Sequence, residues 1–118
     1  MATLEQGRIV WAELTSSDGT KTKRRPAVII TSTSEVKPGQ PFAVVAATTK
    51  FTEPLSDDHV LLPWPPQGNV RTRLRQATVA VCSWICEVRE EDVLHLGGIV
   101  PPNTMEEILT IVNRNTSD

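Results

Sequence analysis

The sequence predicts a mainly β fold, a small antiparallel barrel carrying a C-terminal α-helix and one short helical turn. Two observations carry this. Three apolar, β-rich runs follow one another in the first 48 residues with no helical period between them, which argues for antiparallel pairing rather than βαβ units. A clear 3.6-residue stripe comes near the end, at Met105, Ile108, Leu109 and Val112, and packs one helix face on the barrel. At 118 residues, one core and one domain spanning residues 1–118 are expected.

The elements follow in order. Arg8 to Leu14 (RIVWAEL) is a strand, ended by the turn-forming set Thr15-Ser16-Ser17-Asp18-Gly19. After the basic stretch Thr20 to Arg25, Pro26 lacks an N–H and suits a strand's first residue, with Ala27 to Thr31 continuing it. Pro38-Gly39-Gln40-Pro41 is a turn, and Phe42 to Thr48 a strand apolar on both faces. His59 to Leu62 forms a short strand closed by Pro63, Pro65 and Pro66, and Ala77 to Ile85 forms a longer one. Glu90 to Leu94 reads as one helical turn stopped by Gly97-Gly98. Thr104 and Glu107 have capping-box spacing at the start of the last helix, and Asn113 to Asp118 is expected to fray.

Composition excludes several classes. Hydrophobic content of 39% with 22% charged residues is ordinary for a globular chain, which argues against global disorder. No apolar run approaches the ~20 residues needed to span a bilayer, and the start MATLEQGR is unlike a signal peptide. A cytoplasmic protein is expected. CxxC, HExxH, P-loop, GxSxG and GxGxxG patterns are all absent from the sequence, so metal hydrolysis, nucleotide chemistry and dinucleotide binding have no support. Cys82 and Cys86, if both lie on one regular strand, share a face ~13 Å apart, beyond the ~7 Å reach of a disulfide. They read as reduced thiols packed as small apolar groups. His59 and His95 read as structural, and Glu87, Glu90, Glu91 and Asp92 as a solvated acidic face.

Net charge is -2 overall but unevenly spread. Residues 1–75 carry 10 basic and 7 acidic side chains, whereas residues 76–118 carry 2 and 7. The basic residues cluster at Lys21, Lys23, Arg24 and Arg25, and again at Arg71, Arg73 and Arg75, which suggests a local anionic partner. Pro26 fixes the direction of the chain after Arg25, and Thr48-Thr49 closes another buried strand. If the two strands are antiparallel neighbours, a guanidinium and hydroxyls meet as a phosphate site that needs no metal.

These residues also carry a resemblance. Gly7-Arg8-Ile9-Val10-Trp11, then Asp18-Gly19-Thr20-Lys21-Thr22-Lys23-Arg24-Arg25-Pro26-Ala27-Val28-Ile29-Ile30, then Val44-Val45-Ala46-Ala47-Thr48-Thr49 resemble the MazF/PemK toxins of type II toxin–antitoxin modules. The likeness continues through Leu74 to Val88 and the closing Met105-Glu106-Glu107 helix, so it covers nearly the whole chain. It implies an SH3-like barrel, a homodimer, no cofactor or metal, and sequence-specific cleavage of single-stranded RNA (an mRNA interferase) by 2′-hydroxyl attack on the adjacent phosphate.

In that scheme Arg25 is the catalytic arginine and Thr48 the catalytic hydroxyl, with Thr49 as the alternative if the alignment shifts by one. Arg25 neutralises charge building on phosphorus; its pKa, above ~12, makes it a poor general base at neutral pH. Thr20, Lys21, Lys23 and Arg24 would contact RNA, as would Arg71, Arg73 and Arg75 in a loop beside the groove. The resemblance implies a cognate antitoxin whose acidic tail fills that groove, and contact with DNA through the antitoxin alone. Two departures stand out: Arg8 replaces an acidic residue common in the family, and Thr20-Lys21-Thr22 replaces Ser-Glu-Gln, which bears on the activity and preference of that loop. Two further readings are a non-catalytic dimer that binds RNA or antitoxin as a co-repressor, and a gyrase inhibitor of the CcdB kind on the same barrel. Trp11 and Trp84, inside apolar strands, read as core or dimer interface; Trp64, between prolines, reads as a platform for a base or an antitoxin side chain.

Overall fold

The apolar runs form strands because alternate residues leave a strand on opposite faces, and here both faces are covered. In this computed structural model residues 4–15, 22–37, 39–50, 57–62 and 78–116 are described. The strands are β1 (Arg8–Thr15), β2 (Thr22–Ile29), β3 (Phe42–Thr48), β4 (His59–Leu62), β5 (Thr78–Val88) and β6 (Val93–Ile99), followed by helix α1 (Pro102–Thr116). They make one antiparallel sheet in the order β4-β5-β3-β2-β1-β6, a mainly β, barrel-like architecture as expected. On one face Ile9, Val28, Val45 and Leu62 pack with Met105, Ile108 and Val112 of α1. On the other, Val10, Ala27, Ile29, Val44 and Ala46 pack with Phe42 and Val88. The two clusters explain why β2 and β3 read as continuous apolar runs.

Gly7 joins three strands. Its N–H donates to the Ile29 carbonyl at 2.9 Å and its carbonyl accepts from Val100 N–H at 2.9 Å. It holds φ +91°, which favours glycine, and a Cβ there would lie a tight 3.3 Å from Met105 Cγ.

Several boundaries differ from expectation, among them the end of β5 at Val88, beyond Ile85, and of β2 at Ile29, short of Thr31. Pro26 is not the first residue of its strand: β2 starts at Thr22, and Pro26 stands opposite Trp11 of β1. This is tolerated because the nitrogen of Pro26 faces β3 and not β1, so the β1–β2 ladder loses no hydrogen bond. Val93–Ile99 is a strand through Gly97-Gly98, preceded by a 3-10 turn at Glu90–Asp92. Gly97 lies against β1, where a Cβ would come within 3.1 Å of the Ile9 carbonyl and 3.2 Å of Ile9 Cγ2, so it permits close pairing instead of ending the element. The helix begins at Pro102, two residues before the expected cap, because proline has no N–H to leave unpaired in a first turn. Asn103 Oδ1 accepts from Thr104 N–H at 2.9 Å, and Met105 N–H reaches the Pro101 carbonyl. The helix also runs on to Thr116, through most of the expected fray.

The cysteines do not share a face. β3 pairs Val45 with Ile85 and Ala47 with Ala80, so residues 81–84 of β5 bulge opposite Ala46 alone. Cys82, inside the bulge, packs beneath α1; Cys86, beyond it, packs on the opposite cluster. Both thiols are free. Burial pushes Cys82 up from an ordinary 9.0 to about 11, helped by the negative charges of Asp58 and Glu107. Between those values the unfolded chain has lost a proton that the native thiol keeps. Stability should therefore fall as pH rises from about 9 to about 11, by on the order of 2–3 kcal/mol from this group. Urea unfolding at pH 8 and pH 11 should show a steeper loss for the wild type than for Cys82→Ala.

Candidate functional site

Residues 22–25 form the outer half of β2, exposed at Thr22, Lys23 and Arg24 and half-buried at Arg25. β1 accompanies them in register, Glu13 opposite Arg24 and Ala12 opposite Arg25. β3 does not. Its pairing with β2 runs Ile29↔Val44, Val28↔Val45, Ala27↔Ala46 and stops. Ile30 N–H donates to the Ala43 carbonyl at 3.0 Å, so even-numbered residues of β2 direct their N–H toward β3. The next rung would need an N–H from Pro26, which has none. The ladder therefore opens at Pro26, and Arg25 and Thr48 each stand two residues beyond the last pair, at one end of the same gap. Were the register to continue, Arg25 and Thr48 would be the residues opposite each other.

Both also belong to one face. Thr48 continues the alternation of Phe42, Val44 and Ala46, and Arg25 that of Ala27 and Ile29, all in the cluster away from α1. Thr49 follows the end of β3, out of phase with Thr48, and is exposed. The Thr48 oxygen accepts a hydrogen bond from Lys50 N–H at 3.1 Å. That bond orients the hydroxyl while leaving its own proton available to donate.

Arg25 is held by an aromatic ring. Its guanidinium carbon lies 5.2 Å from the centroid of Trp84, within cation–π range. Its Nε is buried and without a hydrogen-bond partner, and no carboxylate pairs with it among the described residues. A buried, unsatisfied donor on a cation is costly unless something else satisfies it. An anion entering the gap would do so. Trp84 reaches this place through the β5 bulge and packs against the same cluster. The sequence predicts core or dimer interface for Trp84; its half-buried position against Arg25 has no sequence signal, because a bulge within an apolar run leaves none.

Other expected residues divide clearly. Lys23 and Arg24 flank Arg25 on the exposed part of β2. Thr20, Lys21, Arg71, Arg73, Arg75 and Trp64 lie outside the described residues. Arg8 is committed to the fold, its guanidinium donating to the Gly97 carbonyl at 3.1 Å and pairing with Glu5 at 3.5 Å. His59 begins β4, with β5 between it and β3, 3.9 Å from Asp58, which also accepts from the Ser83 hydroxyl. His95 is exposed on β6 opposite Trp11. Among the described residues no three His, Cys, Asp or Glu side chains gather as metal ligands, and no helix is long and apolar enough to cross a membrane. A groove of about 580 Å³ carries Glu13, Glu87, Glu91 and Asp92 on its walls, a lining that repels phosphate.

An arginine and a threonine facing one gap, on a barrel whose first strands read Gly-x-Ile-Val-Trp and Arg-Arg-Pro, correspond to a known family. Residues 5–115 match the PemK-like, MazF-like toxins of type II toxin–antitoxin systems. The chain belongs to this family. No curated protein matches it closely enough to report. Among solved structures it is similar in fold to MazF from Deinococcus radiodurans, at 13% identity and TM-score 0.75 over 100% of both chains. It is also similar to the Mycobacterium tuberculosis toxin MazF-mt6, at 19% identity and TM-score 0.67, covering 91% of this chain and 93% of that one. A mycobacterial endoribonuclease in complex with its cognate antitoxin aligns at 17% identity and TM-score 0.70, over 95% of this chain and 93% of that one. MazF/PemK membership and the gap between β2 and β3 thus rest on different observations.

Proposed function

We propose that this MazF/PemK toxin is a sequence-specific, metal-independent endoribonuclease acting on single-stranded RNA. The observation that supports it best is the open end of β2 and β3, where Arg25 and Thr48 each stand two residues beyond the last pair, Ala27 and Ala46, and the buried Nε of Arg25 is unsatisfied. The reaction suited to such a pair is transesterification. The ribose 2′-oxygen forms a bond to the adjacent phosphorus, the bond from phosphorus to the 5′-oxygen breaks, and a proton passes from the 2′-hydroxyl to the leaving oxygen. The products are a cyclic phosphate and a 5′-hydroxyl. Negative charge accumulates on the non-bridging oxygens, where Arg25 supplies fixed positive charge and forked donors and the Thr48 hydroxyl a further donor.

Lys23 and Arg24 lie beside the gap, suited to contact the flanking phosphates and fix the register of the strand; Thr20, Lys21, Arg71, Arg73 and Arg75 are assigned the same part. The same basic rim suits an antitoxin with an acidic tail, and any DNA contact would come through that partner. The active form in this reading is a cytoplasmic homodimer of a single 118-residue domain.

The test is cleavage of a long mixed-sequence RNA in EDTA with the new 5′ ends mapped. Cuts should fall at one short recurrent motif. Thr48→Ala should slow them by about 10²-fold, while Thr49→Ala should change the rate less than threefold. If Thr49→Ala is the variant that fails, the hydroxyl is assigned to the wrong threonine. A folded wild type that cuts nothing refutes the reading and leaves the co-repressor and gyrase-binding alternatives to be tested directly.

A further inference from the structure

We propose that Trp84 is a positioning residue for Arg25, its indole face holding the guanidinium in the gap between β2 and β3. The proposal rests on the nuclease reading above and adds a component to it. Arginines half-buried at a site are commonly fixed by a carboxylate, which occupies the N–H donors and offsets the charge. Among the described residues Arg25 has no such partner, and its Nε is left unsatisfied. An aromatic face attracts the cation without accepting its in-plane N–H groups, so the charge and the fork both remain available to a phosphate. Trp84 lies 5.2 Å away from the guanidinium carbon, centroid to carbon.

The backbone is arranged to put the ring there. On a regular strand Trp84 would share the face of Cys82, beneath α1. The bulge at residues 81–84 reverses it onto the face of Arg25. A bulge that redirects one side chain beside a site is a feature to be explained by the site.

The experiment compares wild type, Trp84→Phe and Trp84→Leu by steady-state cleavage of an RNA oligonucleotide, and by NMR of the Arg25 side chain assigned with Arg25→Lys. In the wild type the Arg25 Hε and Hδ protons should be shifted upfield by the ring current, a result that needs no substitution at Trp84. Trp84→Leu should lose that shift and lower kcat about tenfold with KM changed less than twofold. Trp84→Phe should restore most of both. An unshifted Arg25 in the wild type, or Leu and Phe variants that are equally active, would overturn the proposal. A change confined to KM would also overturn it, since it would make Trp84 a surface on which RNA stacks. A wild type that does not cut RNA defeats the nuclease reading and this proposal with it, whereas a wild type that cuts beside an unaffected Trp84→Leu defeats this proposal alone.

Discussion

Arg25→Ala should lower the rate of RNA cleavage by about 10³-fold with the fold unchanged, measured as single-turnover cutting of a defined oligonucleotide beside a circular dichroism spectrum. The magnitude follows from removing the fixed charge at a phosphate that gains negative charge on the way to its transition state, where one preorganised donor is worth about 10²–10³-fold and a charged fork more. The fold should survive because Arg25 pairs through its backbone with Ala12, a contact that alanine keeps. Its side chain rests on Trp84 and satisfies no structural acceptor among the described residues. Arg25→Lys should fall between the two, since it keeps the charge and loses the fork. A rate for Arg25→Ala within tenfold of wild type would remove Arg25 from the reaction.

Ile108→Ala should cost about 3–4 kcal/mol of stability, the largest single loss expected away from the site. Ile108 is fully buried at the centre of the contact between α1 and the sheet, among Val28, Val45 and Leu62. Truncation removes most of its side chain from a place where neither the sheet, fixed by its ladders, nor the helix, fixed by Met105 and Val112 on either side, can close the void. Urea denaturation should show the midpoint falling with the slope unchanged. A loss below about 1 kcal/mol would mean that α1 is loosely docked.

Most of the architecture was legible because its signals are local. The three apolar runs became β1, β2 and β3, and the stripe Met105, Ile108, Leu109 and Val112 became the buried side of α1, with Leu109 at its margin. What was not legible depends on partners far along the chain. Gly97-Gly98 looks like a stop until Ile9 is seen against it. Pro26 looks like a beginning until its nitrogen is known to face the side on which β3 has already parted. At the site, the order of residues alone could nominate Arg25 and the hydroxyls of Thr48-Thr49, on the condition that their strands are antiparallel neighbours, which they are; the choice of Thr48 over Thr49 comes from the family resemblance. Trp84 could not be placed, since a shift of register inside an apolar run is set by two strands together.

The opening at Pro26 has a consequence for how such a protein can change over time. It arises from a covalent fact, the absence of one hydrogen atom, so it is present as soon as β2 and β3 meet and asks nothing of the side chains at its rim. Lys23, Arg24, Thr49 and Lys50 are all exposed and carry no share of the β2–β3 ladder. Substitutions there leave the two strands behind them as they are. The same fold recurs in neighbours at 13–19% identity, so the frame tolerates wide change in sequence.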